Sequence, residues 1–106
     1  MAYSYAHPDF STVTLLAVLR ALADPVRLEL VRQIDALGEA NCSTLLGNRP
    51  KSSMSHHFQV LRASGIICTR TEGVNYINSL RKEELDARFP GLMDSILAEL
   101  RRLPTP

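Results

Sequence analysis

Two adjacent histidines, His56 and His57, stand among serines and bases in the stretch RPKSSMSHHFQVLRASGII, residues 49–67. Such a cluster has three uses: a metal site, acid–base catalysis, or a hydrogen-bonding surface for something polar and negative. A helical metal pair needs histidines at i and i+4 or an added acidic or thiolate ligand, whereas neighbours on a helix point about 100° apart. Residues 49–67 contain no carboxylate. Met54, Phe58 and Leu61 recur at i, i+4 and i+7 and mark the buried side of a helix. His57 falls between them and is expected to pack there with one ring nitrogen satisfied. Ser52, Ser55, His56, Gln59 and Arg62 share the opposite face, with Lys51 just before the first turn and Ser53 within it. These groups donate to base edges and phosphates, and the free N–H groups of a helix start attract a phosphate. The expected use is contact with DNA, with no catalytic residue, metal or cofactor.

The charge distribution points the same way. Residues 1–48 carry a net charge of −2 and residues 83–106 also −2, while residues 49–82 hold six bases against one acid, so the whole excess behind the net +1 lies in one segment. A basic block between mildly acidic ends suits one face that meets a polyanion. The 106 residues, 45% of them hydrophobic, are expected to form one domain spanning 1–106, small for an enzyme that must enclose a substrate. No nucleophile–base–acid set or glycine-rich phosphate loop is present, so an enzyme is not expected. The opening MAYSYAHPDF lacks a basic leader with an apolar run, and no apolar stretch approaches twenty residues. A cytoplasmic chain without membrane contact is expected.

The elements that must position this face can be read from pattern. In STVTLLAVLRALADP, Leu15, Leu16, Leu19 and Leu22 form one apolar row and Val13, Ala17 and Ala21 a second, so this helix is covered on two sides. In DPVRLELVRQIDALG, Asp24 can cap a helix, Pro25 fits its first position, and Gly38 can close it. Val26, Leu30, Ile34 and Leu37 form its stripe. NCSTLLGNRP reads as a brief helix, capped by Asn41 or Ser43, and a turn. The helix of the opening stretch is expected from Ser52 or Ser53 to Gly65. IICTRT and VNYINSL, separated by Glu72-Gly73, read as a hairpin. RKEELDARFPGLMDSILAELRRL is helical with a break or kink around Pro90-Gly91. The fold class is therefore mainly α with a small β-hairpin, in the order of a winged helix-turn-helix. Arg70 in the first strand and Asn75 and Tyr76 in the second are expected to extend the DNA footprint.

LADPVRLELVRQI, SSMSHHFQVLRASGII and EGVNYINSL together resemble bacterial ArsR/SmtB-type transcriptional repressors, from about Leu19 to Leu80. The resemblance implies a homodimer that binds double-stranded DNA at a palindromic, inverted-repeat operator and is released by a ligand, often a metal. It also implies that Lys51, Ser52, Ser55 and His56 contact DNA. A dimer is independently expected, because the first and last helices have apolar faces that so small a domain cannot cover. Val13, Leu16, Leu19 and Arg20 of the first and Leu92, Ile96, Leu97 and Leu100 of the last are its expected interface.

Metal sites of that family are incomplete here: Cys42-Ser43-Thr44 offers a single thiol, and residues 81–106 hold no histidine or cysteine. His7 reaching Cys42 across a dimer is a remaining route to a metal. Cys42 and Cys68 lack a CxxC zinc pattern and either serve as small buried hydrophobes or form a redox switch, through a disulfide or a sulfenic acid. The release signal therefore stays open between thiol oxidation, metal and small ligand. The alternative from another class is a winged-helix module whose apolar helices bind a different protein, without sequence-specific DNA binding.

Overall fold

The computed structural model describes residues 6–102. After a single 3-10 turn (Phe10–Thr12) come α1 (Leu15–Leu22), α2 (Pro25–Leu37), β1 (Glu39–Asn41), α3 (Cys42–Leu46), α4 (Lys51–Ala63), β2 (Ile67–Glu72), β3 (Asn75–Leu80), α5 (Lys82–Arg88) and α6 (Leu92–Arg101). The first five residues of the sequence, and Leu103 at the expected end of the last helix, lie outside the described residues.

The expected helices and hairpin are present, and the winged helix-turn-helix is built from α3, α4 and the β2–β3 wing. One strand was not anticipated. Residues Glu39–Asn41 pair antiparallel with β3, so the wing is a three-stranded sheet in the order β1-β3-β2. The terminal segment divides at Pro90-Gly91 into two helices rather than kinking one.

Asp24 starts α2 as its neighbours suggest: one carboxylate oxygen accepts from the N–H groups of Val26 (2.9 Å) and Arg27 (3.0 Å). The bond from the Arg27 backbone is the main reason its carboxyl is held below the usual aspartate value. A lowered native pKa means stabilisation that is full above the ordinary carboxylate range and lost as the pH falls through the native value. Asp24→Ala is expected to cost about 1 kcal/mol in urea unfolding at neutral pH, with the gap to wild type closing in acid. An equal gap at both pH values would refute the charge-dependent cap.

The core is centred on Leu30, Val31 and Ile34 of α2. Val18, Ala21 and Leu22 of α1, Met54, Phe58 and Leu61 of α4, Ile66 and Ile67 at the start of the wing, and Met93, Leu97 and Leu100 of α6 close around it. This corrects the expected dimer surface. Val13, Leu97 and Leu100 are 3%, 1% and 5% exposed and belong to the chain's own core. Leu92 and Ile96 are half-buried against it. The apolar surface that remains is on α1, where Leu15, Leu16 and Leu19 are 46%, 56% and 45% exposed beside exposed Arg20. Leu37, expected in the α2 stripe, is also exposed.

The segment before α1 fastens the helix–wing junction. His7 Nε2 accepts from the Thr69 backbone N–H of β2 (3.0 Å), so this nitrogen is engaged at the sheet edge rather than directed at Cys42. Arg81 donates to the Pro8 carbonyl (3.1 Å) and lies over the Phe10 ring. Gly65, between α4 and β2, has φ +84°, and a Cβ there would lie 2.8 Å from Val13 Cγ2 and 3.2 Å from Phe10 Cζ. Glycine is required at this turn both by conformation and by the close approach of that segment.

Candidate nucleic-acid interface

Pro50 precedes α4, and no side chain caps the helix start. The first bonded amide is that of Met54, which donates to the Pro50 carbonyl (3.1 Å), leaving the first-turn N–H groups directed outward. Lys51, Ser52, Ser55, His56 and Gln59 are all exposed along α4, while Met54, Phe58 and Leu61 are buried on the opposite side. Ser53 is exposed too, but its hydroxyl donates back to the Pro50 carbonyl (3.1 Å). Arg49, in the α3–α4 turn, adds an exposed cation that the spacing argument did not single out.

The paired histidines separate as expected. His57 is half-buried, and its Nδ1 accepts from the Arg27 guanidinium at 3.1 Å. Arg27 also donates through Nε to the Ala21 carbonyl (2.6 Å) and through Nη2 to that of Arg20 (3.5 Å). One side chain of α2 thus caps the end of α1 and holds the middle of α4. This gives a physical use to Asp24 and Arg27 in the same LADPVR stretch, the first for starting α2 and the second for tying three helices together.

The wing is less cationic than its sequence suggests. Arg70 is paired with Glu39 across the sheet and with Glu72 on its own strand. The hydrogen bonds it donates to these carboxylates, Glu39 first, raise its pKa further above the usual arginine value. Arg70, expected in the DNA footprint, is thus held in an ion-pair cluster with Glu39 and Glu72. Arg81 is likewise paired with Glu84, and Lys82 with Asp86 and Asp94. Three bases of the central block are thus committed within the chain, and its basic character gathers around the start of α4. Asn75 accepts from the Asn41 amide (2.7 Å), Tyr76 is 43% exposed, and Val74 at the wing tip is 93% exposed. Val74 was missed because an apolar residue after a turn glycine reads as the first residue of a strand.

Beneath this surface runs a buried polar chain. Arg62, half-buried near the end of α4, donates to Thr69 Oγ1 (3.4 Å), which donates to Asn78 Oδ1 (2.7 Å). Asn78 in turn donates to the Ala40 carbonyl (3.2 Å) and to Cys42 Sγ (3.1 Å). Arg62 is therefore turned towards the sheet and departs from the outward row expected for it. Cys68 Sγ lies beside Ser79 Oγ (3.2 Å) on the opposite sheet face, one row from Asn78. Cys42 follows β1 and Cys68 is in β2, with β3 between them. Two strand spacings are about 9.5 Å, beyond the roughly 7 Å that a disulfide spans between Cα atoms. A disulfide, one of the alternatives the sequence left open for these thiols, is therefore out of reach within one chain in this arrangement. Among the described residues, no group of three or more His, Cys, Asp or Glu is placed to hold a metal ion. No described helix is long and apolar enough to cross a membrane.

Comparison with known proteins agrees with this arrangement. No protein-family model matches the chain. An uncharacterized HTH-type transcriptional regulator of Bacillus subtilis strain 168, YceK, is 29% identical over 82 residues, covering 74% of this chain and 82% of that protein. The crystal structure of an ArsR family transcriptional regulator, RHA00566, superposes with a TM-score of 0.63 at 28% identity, over 82% of this chain and 91% of that one. The homodimeric winged helix-turn-helix DNA-binding domain of Mb0332 from Mycobacterium bovis, a possible ArsR-family regulator, has the same fold, with a TM-score of 0.63 at 24% identity over 80% of this chain and 79% of that one. With α3 and α4 forming the helix-turn-helix and β2–β3 its wing, the chain is a winged helix-turn-helix DNA-binding transcriptional regulator similar to those of the ArsR family.

Proposed function

We propose that the chain acts as one domain, a homodimeric repressor that occupies an inverted-repeat operator. The observation that carries this reading is the exposed face of α4, where Lys51, Ser52, Ser55, His56 and Gln59 stand together on a helix without a single carboxylate. Lys51 and the open first-turn amides suit a phosphate, while Ser55, His56 and Gln59 are placed to reach base edges in the major groove. Asn75 and Tyr76 are the wing's candidates for the adjacent backbone. Ser53, Arg62 and Arg70 act as supports for the helix, the sheet and the wing. The exposed Leu15, Leu16 and Leu19 of α1 form the seam for a second copy, as expected for a fold whose relative Mb0332 is homodimeric. Two-fold pairing sets two copies of α4 about 34 Å apart, one turn of DNA. Repression follows from occupancy, since this small chain commits one face to DNA and another to its copy.

A gel shift with the chain's own upstream region tests the reading. His56→Ala, present in both subunits, is expected to weaken specific binding about a hundredfold and non-specific binding far less. Lys51→Gln is expected to weaken both alike and to flatten the salt dependence. Specific binding that survives His56→Ala undiminished, or no specific binding by the wild type, would sink the proposal and favour a protein-interaction module.

A further inference from the structure

Between α4 and the wing lies a cavity of about 470 Å³, within the size range of small-molecule sites. Its floor is apolar, from Met54 and Phe58 of α4, and Val74 and Tyr76 of the wing flank its mouth. Two cations line it, Lys51 at the start of α4 and Arg62 near its end. Cys42 lines it as well, so the cavity meets both ends of the buried chain that runs from Arg62 through Thr69 and Asn78 to Cys42.

We propose that this cavity binds a small planar aromatic anion, a carboxylate by preference, that displaces DNA from the same face. The apolar floor and the Tyr76 ring suit an aromatic body, and Lys51 suits a charged end, Arg62 at the other end of the helix being engaged with Thr69. Acids lie elsewhere: Glu72, on the adjoining wing strand, is paired with Arg70 on the outer sheet face. The ligand would stand between the recognition helix and the wing, where Lys51 is needed for a phosphate, so ligand and DNA compete for one cation. The competitive part of this inference rests on the DNA-binding reading above; the cavity's affinity for an anion does not. The pocket lies in the chain itself rather than at the α1 seam, so each subunit binds independently.

The test uses the full chain with naphthoate as the probe and the uncharged naphthyl methanol as its control. Without DNA, amide NMR spectra are expected to show naphthoate shifting Cys42, Val74, Asn75 and Tyr76, with Lys51→Gln weakening binding and naphthyl methanol binding at least about tenfold more weakly. Shifts confined to α1 or α6, or equal binding of the two probes, would overturn the site. With operator DNA, naphthoate at about ten times its own Kd is expected to raise the dimer's apparent Kd for DNA roughly a hundredfold, about tenfold for each of its two independent sites. Shifts at the cavity with unchanged DNA affinity would overturn the competition. Failure of the wild type to bind DNA at all would instead refute the DNA-binding reading and the competition with it, and leave the NMR result on the site intact.

Discussion

Joint replacement Leu16→Glu and Leu19→Glu is expected to give a folded monomer that binds its operator about a hundredfold more weakly than wild type. The two leucines are 56% and 45% exposed, so carboxylates there meet water in the single chain and cost little stability. In a two-fold dimer each leucine faces the same seam on the other copy, and four carboxylates would be brought together at an apolar contact. Losing the seam converts two linked half-site contacts into separate ones, which removes about two orders of magnitude of avidity. Sedimentation measures the assembly and circular dichroism the fold. A variant that stays dimeric at micromolar concentration would refute α1 as the seam. One that becomes monomeric yet keeps full affinity would refute cooperation between half-sites.

Arg27→Met carries the largest expected effect on stability, about 3 kcal/mol, seen as a fall in Tm of more than about 10 °C. The substitution keeps the aliphatic stem but removes the donors to Ala21, Arg20 and His57. The end of α1 then loses its cap, and the half-buried Nδ1 of His57 is left without its donor. A cycle with His57→Leu separates the two contributions: Arg27→Met is expected to cost about 1 kcal/mol less once His57 is gone. Strict additivity would mean that Arg27 acts on α1 alone. Stability equal to wild type would mean that water replaces every bond it makes.

Much of this site was legible in the residue pattern, because helical periodicity is a local property. Met54, Phe58 and Leu61 told which side of α4 is buried, and that alone separated His56 from His57. The Asp24-Pro25 start of α2 was equally readable, since cap and helix are adjacent. What failed required partners distant in sequence. Glu39 sits in a three-residue strand without a β-branched residue, so neither β1 nor its claim on Arg70 could be foreseen. Arg62 turned inward for a similar reason: its acceptor, Thr69, lies across the α4–β2 turn. The α6 stripe was correctly seen as apolar, but periodicity does not say whether a stripe meets its own core or a second copy. Leu97 and Leu100 took the first option, and the three leucines of α1 were left outside. The resemblance to ArsR-type regulators gave the architecture but not these local commitments.

The two fastenings of α4 have a mechanical consequence. Arg27 ties the middle of the helix to the end of α1, while Gly65, at its far end, is pressed against Val13 just before α1 begins. Held at two points along its length, α4 cannot swivel on α1 without unfolding the turn or breaking the guanidinium bonds. In a dimer joined through α1, the pair therefore behaves as a rigid lever with its pivot at the seam. In the proposed dimer a small change in the angle between the two α1 helices would swing both copies of α4 together and be magnified at their tips, so the half-site spacing of an operator would act as a gauge of that angle.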